Sequence, residues 1–154
     1  MAGEAKPAPT PRSRSPRSLA REAAVQALYQ WQLTGQDPKD IYNQFLADAA
    51  GPPRDEELFK RLVLDIPAQA EVLDGLLDEL ADRPVRQIDP VEHGILLVGI
   101  FELRSSPEVP FRVIINEAVE LARAYGAEDG HRYVNAVLDR AARDLRAAEA
   151  GAGS

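Results

Sequence analysis

Cysteine is absent from this 154-residue chain, and the sequence holds only three lysines and one methionine. Without cysteine the chain has no disulfides, no thiolate metal sites and no cysteine nucleophile, which fits a reducing compartment. No apolar run reaches the roughly 18 residues of a membrane span, and the N-terminus lacks the apolar stretch of a secretory signal. We therefore expect a cytoplasmic protein with a single hydrophobic core.

Recognisable catalytic motifs are missing as well. The sequence contains no P-loop, GxGxxG or GxSxG pattern, and its two histidines, His93 and His131, do not have the spacing of metal ligands. A cluster of Glu128, Asp129 and His131 leaves a metal or acid/base site as an alternative. However, Asp129 stands where a helix N-cap belongs, and Glu128 is favoured near the positive end of a helix. We expect no enzyme activity, no metal and no cofactor.

The charge of the chain is unevenly distributed. The formal net charge is −7, yet residues 1–21 carry five basic residues against one acidic residue. Their basic residues are Lys6, Arg12, Arg14, Arg17 and Arg21. Such asymmetry favours an arm that binds a polyanion, attached to an acidic body. A solvated tail that only keeps the protein soluble is the alternative, and composition alone does not decide between them.

The apolar pattern predicts an all-α domain. Residues 1–15 read as a disordered basic arm, residues 16–148 as a compact helical domain of six or seven helices, and residues 149–154 as a flexible tail. The expected helices run from Pro16 to Leu33, Asp37 to Leu46, Arg54 to Leu80 with a break near Pro67, Val91 to Leu103, Ile114 to Tyr125, and Asp129 to Leu145. Only the segment from Val109 to Val113 could form a short strand.

Two features of this pattern carry further expectations. The fourth expected helix is apolar on nearly every face, which is typical of a central buried helix. Its glycines, Gly94 and Gly99, would allow other helices to approach closely. Ile114, Ala118 and Tyr125 fall on one inward face of the fifth helix.

Arginines at the start of the first helix favour nucleic-acid binding. Arg17 and Arg21 are spaced at i and i+4 and are expected to point outward together, while Arg12 and Arg14 extend from the arm. Arginine can hold a phosphate through two parallel donors and can also stack on unpaired bases. Tyr29, two turns further on, could offer a stacking ring, or it could be half-buried with only its hydroxyl at the surface.

Longer segments resemble a known family. The phrases AREAAVQALYQWQLTGQD, DPVEHGILLVGIFEL and VPFRVIINEAVELARAYGAEDGHRYVNAVLDRAA closely resemble the NusB family of bacterial transcription antitermination factors. The resemblance spans about residues 17–146. It implies a helical domain that binds boxA, a short single-stranded RNA element of nascent ribosomal RNA leaders. It also implies a partner, the ribosomal small-subunit protein NusE, within a larger complex of other Nus factors and RNA polymerase.

The resemblance further implies which residues contact RNA. The expected contacts on the first helix are Arg17, Arg21 and Tyr29, with Arg12 and Arg14 assisting from the arm. The remaining contacts map onto Glu92, Phe111, Arg112, Asp129 and Tyr133. The two acidic residues among these cannot attract phosphate, but they could accept hydrogen bonds from base amino groups.

One departure and two alternatives stay open. Family members often carry an unbroken arginine run at the start of the first helix, whereas this chain has Arg17-Ser18-Leu19, so the arm or the NusE partner would have to compensate. A purely protein-binding adaptor with only minor RNA contact is one alternative. The other is an RNA cytosine methyltransferase with a NusB-like domain, but such an enzyme needs cysteines and an α/β domain, so we set it aside.

Overall fold

The computed structural model describes residues 14–48 and 50–147. Seven α-helices and one 3-10 turn, Val85–Gln87, form this part of the chain, which contains no strand. The helices are α1 (Pro16–Thr34), α2 (Pro38–Ala47), α3 (Glu56–Ala68), α4 (Ala70–Leu80), α5 (Pro90–Ser105), α6 (Phe111–Tyr125) and α7 (Gly130–Leu145). The all-α fold is thereby confirmed. Most of the predicted arm, including Arg12, and the predicted tail lie outside the described residues.

Short side chains at the N-caps explain where most of these helices begin. Ser15 Oγ accepts a hydrogen bond from Ser18 N at 3.0 Å, and Pro16 follows as the first helical residue. Asp37 and Asp89 do the same for α2 and α5, each again followed by proline. Proline suits this position because its fixed φ is already helical and its missing N–H would have no partner there. The caps were therefore predictable from sequence.

The break expected near Pro67 occurs two residues later. Pro67 lies in the last turn of α3, and the chain leaves the helix at Gln69, whose N–H reaches back to Asp65 O and Ile66 O. α4 then begins at Ala70. Proline removes one backbone donor and crowds the preceding turn, so the helix ends soon after it.

The central position of α5 is confirmed. Ten consecutive residues of this helix, 94–103, are buried, and α5 packs against α1, α4, α6 and α7. A Cβ built on Gly99 would come within 2.8 Å of Leu138 Cδ1 on α7, closer than such atoms approach. Any larger residue at position 99 would therefore force the Leu138 side chain to shift at this crossing. Gly94 has only ordinary contacts, the nearest being Gln32 Nε2 at 3.6 Å.

Two arginines close the C-terminal end of α5. Arg61 Nη2 donates to Ser105 O at 2.7 Å. Arg146 donates to Leu103 O at 2.7 Å and to Ser106 O at 2.8 Å. The last carbonyls of a helix have no partner within it and carry partial negative charge, so these guanidinium groups satisfy and neutralise them.

Two local expectations were wrong. Val109 is buried, but the segment from Val109 to Val113 does not form a strand, because α6 begins at Phe111. Tyr125 has the helical phase of the inward residues, yet it is 48% exposed. It is the last residue of α6 and therefore extends beyond the end of the core.

Candidate nucleic-acid interface

Arg14 and Arg17 flank the start of α1 at the surface. The side chain of Arg17 is 44% exposed, and its Nη1 lies 3.8 Å from Asp55 Oδ2 at the start of α3. Arg14 Nη2 lies 2.6 Å from Glu22 Oε1, one to two turns into α1. Both guanidinium groups are thus partly neutralised by the protein's own carboxylates while they remain accessible to solvent. An anionic ligand would compete with these ion pairs for the arginines.

The expectation that Arg21 points outward is wrong. Arg21 is only 3% exposed and forms an ion pair with Glu102 of α5, with Glu117 of α6 near its other nitrogen at 3.5 Å. Burial alone would lower the pKa of Arg21, but the hydrogen bonds and negative charge of Glu102, assisted by Glu117, raise it above its ordinary value. Three helices converge here, so position 21 faces the interior although position 17 does not.

Ser18 interrupts the arginine run because it sits between two helices. Its Oγ donates to Glu117 Oε2 at 2.9 Å, and its side chain and that of Leu19 are both partly buried. Tyr125 makes a second link between the same helices, since its hydroxyl donates to Glu22. These two contacts define what we call the α1–α6 seam: Ser18 and Glu22 of α1 with Glu117 and Tyr125 of α6. Sequence reasoning missed this seam.

Tyr29 is exposed on α1. Its accessible fraction is 41%, so the stacking interpretation has the accessible ring that it requires. Because Tyr29 lies seven residues after Glu22, the two side chains project from the same side of the helix. Tyr29 therefore lies on the side of α1 that carries the α1–α6 seam.

Glu92 does not lie at the surface. It is 4% exposed, and its Oε2 accepts a hydrogen bond from Ala127 N at 3.1 Å. A Cβ built on Gly126 would lie close to the same oxygen, and a Cβ built on Gly130 would overlap with it. The buried carboxylate of Glu92 thus supports the loop between α6 and α7 from the interior of the protein. The direct RNA contact expected of Glu92 is not open to a side chain in this position.

Asp129 is exposed at the tip of this loop. It has a left-handed backbone conformation with a φ of 68°, and its side chain makes no capping hydrogen bond to α7. Asp129 is thus the N-cap residue of α7, as predicted, but its carboxylate does not cap the helix, and its left-handed backbone differs from the extended backbone of the capping residues Ser15 and Asp37. Its nearest cation is Arg132 Nε at 3.9 Å. The carboxylate remains available to a ligand.

Phe111 and Arg112 lie on a different side of α6. They line a groove of about 390 Å³ between α6 and α7, together with Asp139 and Arg143 of α7. The guanidinium of Arg112 is 5.6 Å from the ring centroid of Phe111. This groove runs along the α7 flank of α6, whereas the α1–α6 seam follows the α1 flank.

Tyr133 is on the first turns of α7. The guanidinium carbon of Arg83 lies 4.1 Å from its ring centroid, so one face of the ring is already covered by a cation. Burial raises the pKa of Tyr133 above its ordinary value. The hydroxyl is buried and has no hydrogen-bond partner in the part of the chain that the structure describes.

His93 joins three helices. His93 Nδ1 lies 2.8 Å from Gln32 Oε1 and its Nε2 lies 2.6 Å from Asp74 Oδ1, so the ring joins α1, α4 and α5. Among residues 14–48 and 50–147, no group of three potential ligands could hold a metal ion. None of the helices formed by these residues is long and apolar enough to span a membrane.

Comparison with known proteins identifies the family of this chain. The family model of NusB matches residues 18–143, most of the helical domain. The chain belongs to the NusB family. This confirms the resemblance seen in the sequence and places the chain among transcription antitermination factors, which are not enzymes.

Relatives named transcription antitermination protein NusB match the chain over most of its length. The protein of Nitrosococcus oceani is 49% identical over 134 residues, which cover 86% of this chain and 89% of the relative. The protein of Halorhodospira halophila is 51% identical over 137 residues, which cover 88% of each chain.

Solved structures of the NusB family share the fold. The structure of T. maritima NusB has a TM-score of 0.72 and 25% identity, and it covers 84% of this chain and 92% of that one. A crystal structure of the antitermination factors NusB and NusE in complex with double-stranded RNA has a TM-score of 0.74 at 22% identity. The likeness covers 84% of this chain and 97% of the other, and at this identity it supports the fold alone.

Proposed function

We propose that this chain binds the boxA element of nascent ribosomal RNA leaders together with the ribosomal protein NusE, and thereby prevents premature termination of ribosomal RNA transcription. The observation that carries the proposal is the near full-length match to NusB proteins at about half identity. The complex acts in the cytoplasm and joins other Nus factors and RNA polymerase. The chain contributes by assembly, not by catalysis.

The surface of α1 supplies the main RNA contacts in this proposal. Arg14 and Arg17 are accessible cations at the start of the helix, and each can exchange its carboxylate partner for a phosphate. Arg12, which lies outside the described residues, extends the same basic segment. Tyr29 offers an exposed ring further along the helix, where an unpaired base can stack.

The loop between α6 and α7 supplies specificity. Asp129 projects from this loop with no capping hydrogen bond, so its oxygens are free to accept hydrogen bonds from base amino or imino groups. A carboxylate also repels phosphate, so the same residue restrains affinity. Glu92 positions the loop from the interior, and Arg21 positions α1 against α5 and α6.

A second group of contacts lies around α7. Phe111 and Arg112 lie near the C-terminal half of α7, and Tyr133 lies near its start. These residues would engage the part of the RNA that continues past the surface of α1, or the part that is held jointly with NusE. Phe111 and Arg112 line the groove on the α7 flank of α6, which is large enough for a base or a side chain of a partner. The proposed contacts on α1 do not depend on Phe111, Arg112 or Tyr133.

The test is a titration of single-stranded boxA RNA with the full-length protein, with and without NusE. We expect binding that is tighter with NusE and weaker for Arg17→Ala. Arg104→Ala is the matched control, because Arg104 is an exposed arginine beside Gln69 at the junction of α3 and α4. Binding of NusE without any measurable binding of RNA would reject the proposal and support a protein-binding adaptor.

A further inference from the structure

Tyr125 is an exposed aromatic residue that none of the assigned roles explains. It ends α6, and its ring is 48% exposed although its helical phase is that of the core. Its hydroxyl donates to Glu22 of α1, and this hydrogen bond is the main cause that raises the pKa of Tyr125. The ring is therefore fixed at one end while much of its surface remains open to solvent.

The partner of Tyr125 belongs to the basic start of α1. Glu22 Oε2 accepts from Tyr125, and its other oxygen, Oε1, accepts from Arg14 Nη2 at 2.6 Å. A single carboxylate thus joins an accessible guanidinium to an exposed ring. Because Arg14 pairs with Glu22, it offsets the negative charge of the carboxylate that holds the ring.

The α1–α6 seam connects Tyr125 to the start of α1, which carries the proposed phosphate contacts. Ser18 contacts Glu117 and, one turn later on α1, Glu22 contacts Tyr125, about two turns later on α6. Arg14 lies at one end of this path. Asp129 follows Tyr125 by four residues, in the loop that leads from α6 to α7.

A fixed tyrosine ring beside a cation suits an unpaired nucleobase. Any base can stack on an aromatic face, and a phosphate of the same nucleotide can reach a nearby arginine. Little conformational freedom is lost on binding, since the hydrogen bond to Glu22 already restricts the side chain.

We propose that Tyr125 is a base-stacking residue of this protein and that Glu22 is its positioning residue. The ligand is one unpaired base of a single-stranded RNA whose backbone is held by Arg14. The inference rests on the RNA-binding function proposed above and adds a residue to it.

The experiment uses boxA RNA that carries the fluorescent base 2-aminopurine at one position at a time, titrated with the full-length protein at constant NusE. In the wild type we expect stacking to quench the fluorescence at one position next to the arginine-contacting phosphates. Tyr125→Phe retains the ring but lacks the hydroxyl that bonds to Glu22, so it should show the quenching at the same position at a reduced depth. Tyr125→Ala should abolish it and weaken binding by about 5-fold to 150-fold, the range that loss of one stacked base produces.

Three controls separate the possible outcomes. Tyr125→Leu retains apolar bulk without an aromatic face, so it should behave like Tyr125→Ala. Val72→Ala removes an exposed apolar side chain from α4 and should change nothing. Glu22→Ala should reduce the depth of quenching at the same position while the protein stays folded at the temperature of the titration, which a thermal melting curve checks.

The failures are distinguishable. If the wild type does not bind boxA RNA, the proposed function itself is rejected, and the stacking role with it. If the wild type binds and Tyr125→Ala and Tyr125→Leu bind equally well with unchanged quenching, only the role of Tyr125 is rejected.

Discussion

Arg21 and Glu102 form a two-pronged ion pair in the interior of the protein. Arg21 Nε lies 2.8 Å from Glu102 Oε1, and Arg21 Nη2 lies 3.1 Å from Glu102 Oε2. Both side chains are almost fully buried. The pair fixes α1 against α5, and this is the position at which a surface arginine was expected from sequence.

Removing Arg21 should destabilise the protein because it leaves the charge of Glu102 buried and unpaired. We expect Arg21→Ala to lower the free energy of unfolding by about 3–5 kcal/mol, measured by urea denaturation. The double variant Arg21→Met with Glu102→Leu should recover most of this loss, since neither charge remains. Arg17→Ala is the surface control and should change stability by no more than about 0.5 kcal/mol. If Arg21→Ala is as stable as the wild type but no longer binds RNA, Arg21 contacts RNA directly and the structural role is wrong.

The salt dependence of RNA binding should report which arginines contact phosphate. For single-stranded RNA each neutralised phosphate contributes about −0.7 to the slope of log K against log salt. With Arg12, Arg14 and Arg17 as contacts and Arg112 as a fourth, the slope should be roughly −3. Arg17→Ala should make it shallower by about 0.7, and Arg104→Ala should leave it unchanged. A slope near −1 in the wild type would show that the basic arm is a bystander.

Asp129→Asn should strengthen RNA binding. The change removes a negative charge near phosphate, and asparagine tolerates the left-handed conformation that Asp129 adopts. The fold has no capping hydrogen bond to lose at this position. The measurement is the same boxA titration, with Glu128→Gln as a neighbouring change of equal charge. Weaker binding of Asp129→Asn would contradict the expectation, and equal gains for both variants would indicate a general charge effect.

Two substitutions of Glu92 should distinguish structural support of the loop between α6 and α7 from direct contact with RNA. Glu92→Gln retains an oxygen that can accept from Ala127 N, so the loop and RNA binding should stay close to wild type. Glu92→Ala removes that acceptor and leaves a buried space beneath Gly126 and Gly130, so hydrogen exchange of the Ala127 amide should accelerate and binding should weaken. Strong loss of binding in Glu92→Gln with a normal exchange rate would instead favour direct recognition by the carboxylate.

Tyr125 should remain protonated at a higher pH than an ordinary tyrosine. Its hydrogen bond to Glu22 raises its pKa above the ordinary value of 10.0. The fold favours the protonated form, so the contribution of this bond to stability is fully present below about pH 10 and is lost as the pH rises through the raised pKa. In a tyrosinate absorbance titration, Tyr125→Phe should remove a late-titrating component, and Glu22→Gln should shift that component to lower pH. Loss of an ordinary component near pH 10 in Tyr125→Phe, together with an unchanged curve for Glu22→Gln, would contradict the hydrogen bond.

The sequence alone determined the helices and the family. Ser15-Pro16, Asp37-Pro38 and Asp89-Pro90 each combine a capping oxygen with a residue fixed at helical φ, and such local chemistry acts regardless of tertiary context. The apolar faces of α5 likewise predicted its burial. The long matching segments identified the NusB family before any contact was known.

Only the tertiary structure decided which polar residues reach the surface. Arg17 and Arg21 are four residues apart, so helical spacing alone puts them on the same face of α1. However, α5 and α6 cover Arg21 and leave Arg17 exposed. Glu92 is buried because the loop after α6 folds over it, and Tyr125 is exposed because the core ends before it. Burial of a side chain depends on which helices pack against its own, and that depends on contacts between residues far apart in the chain. The orientation predicted from helical phase alone was therefore right for Arg17 and wrong for Arg21.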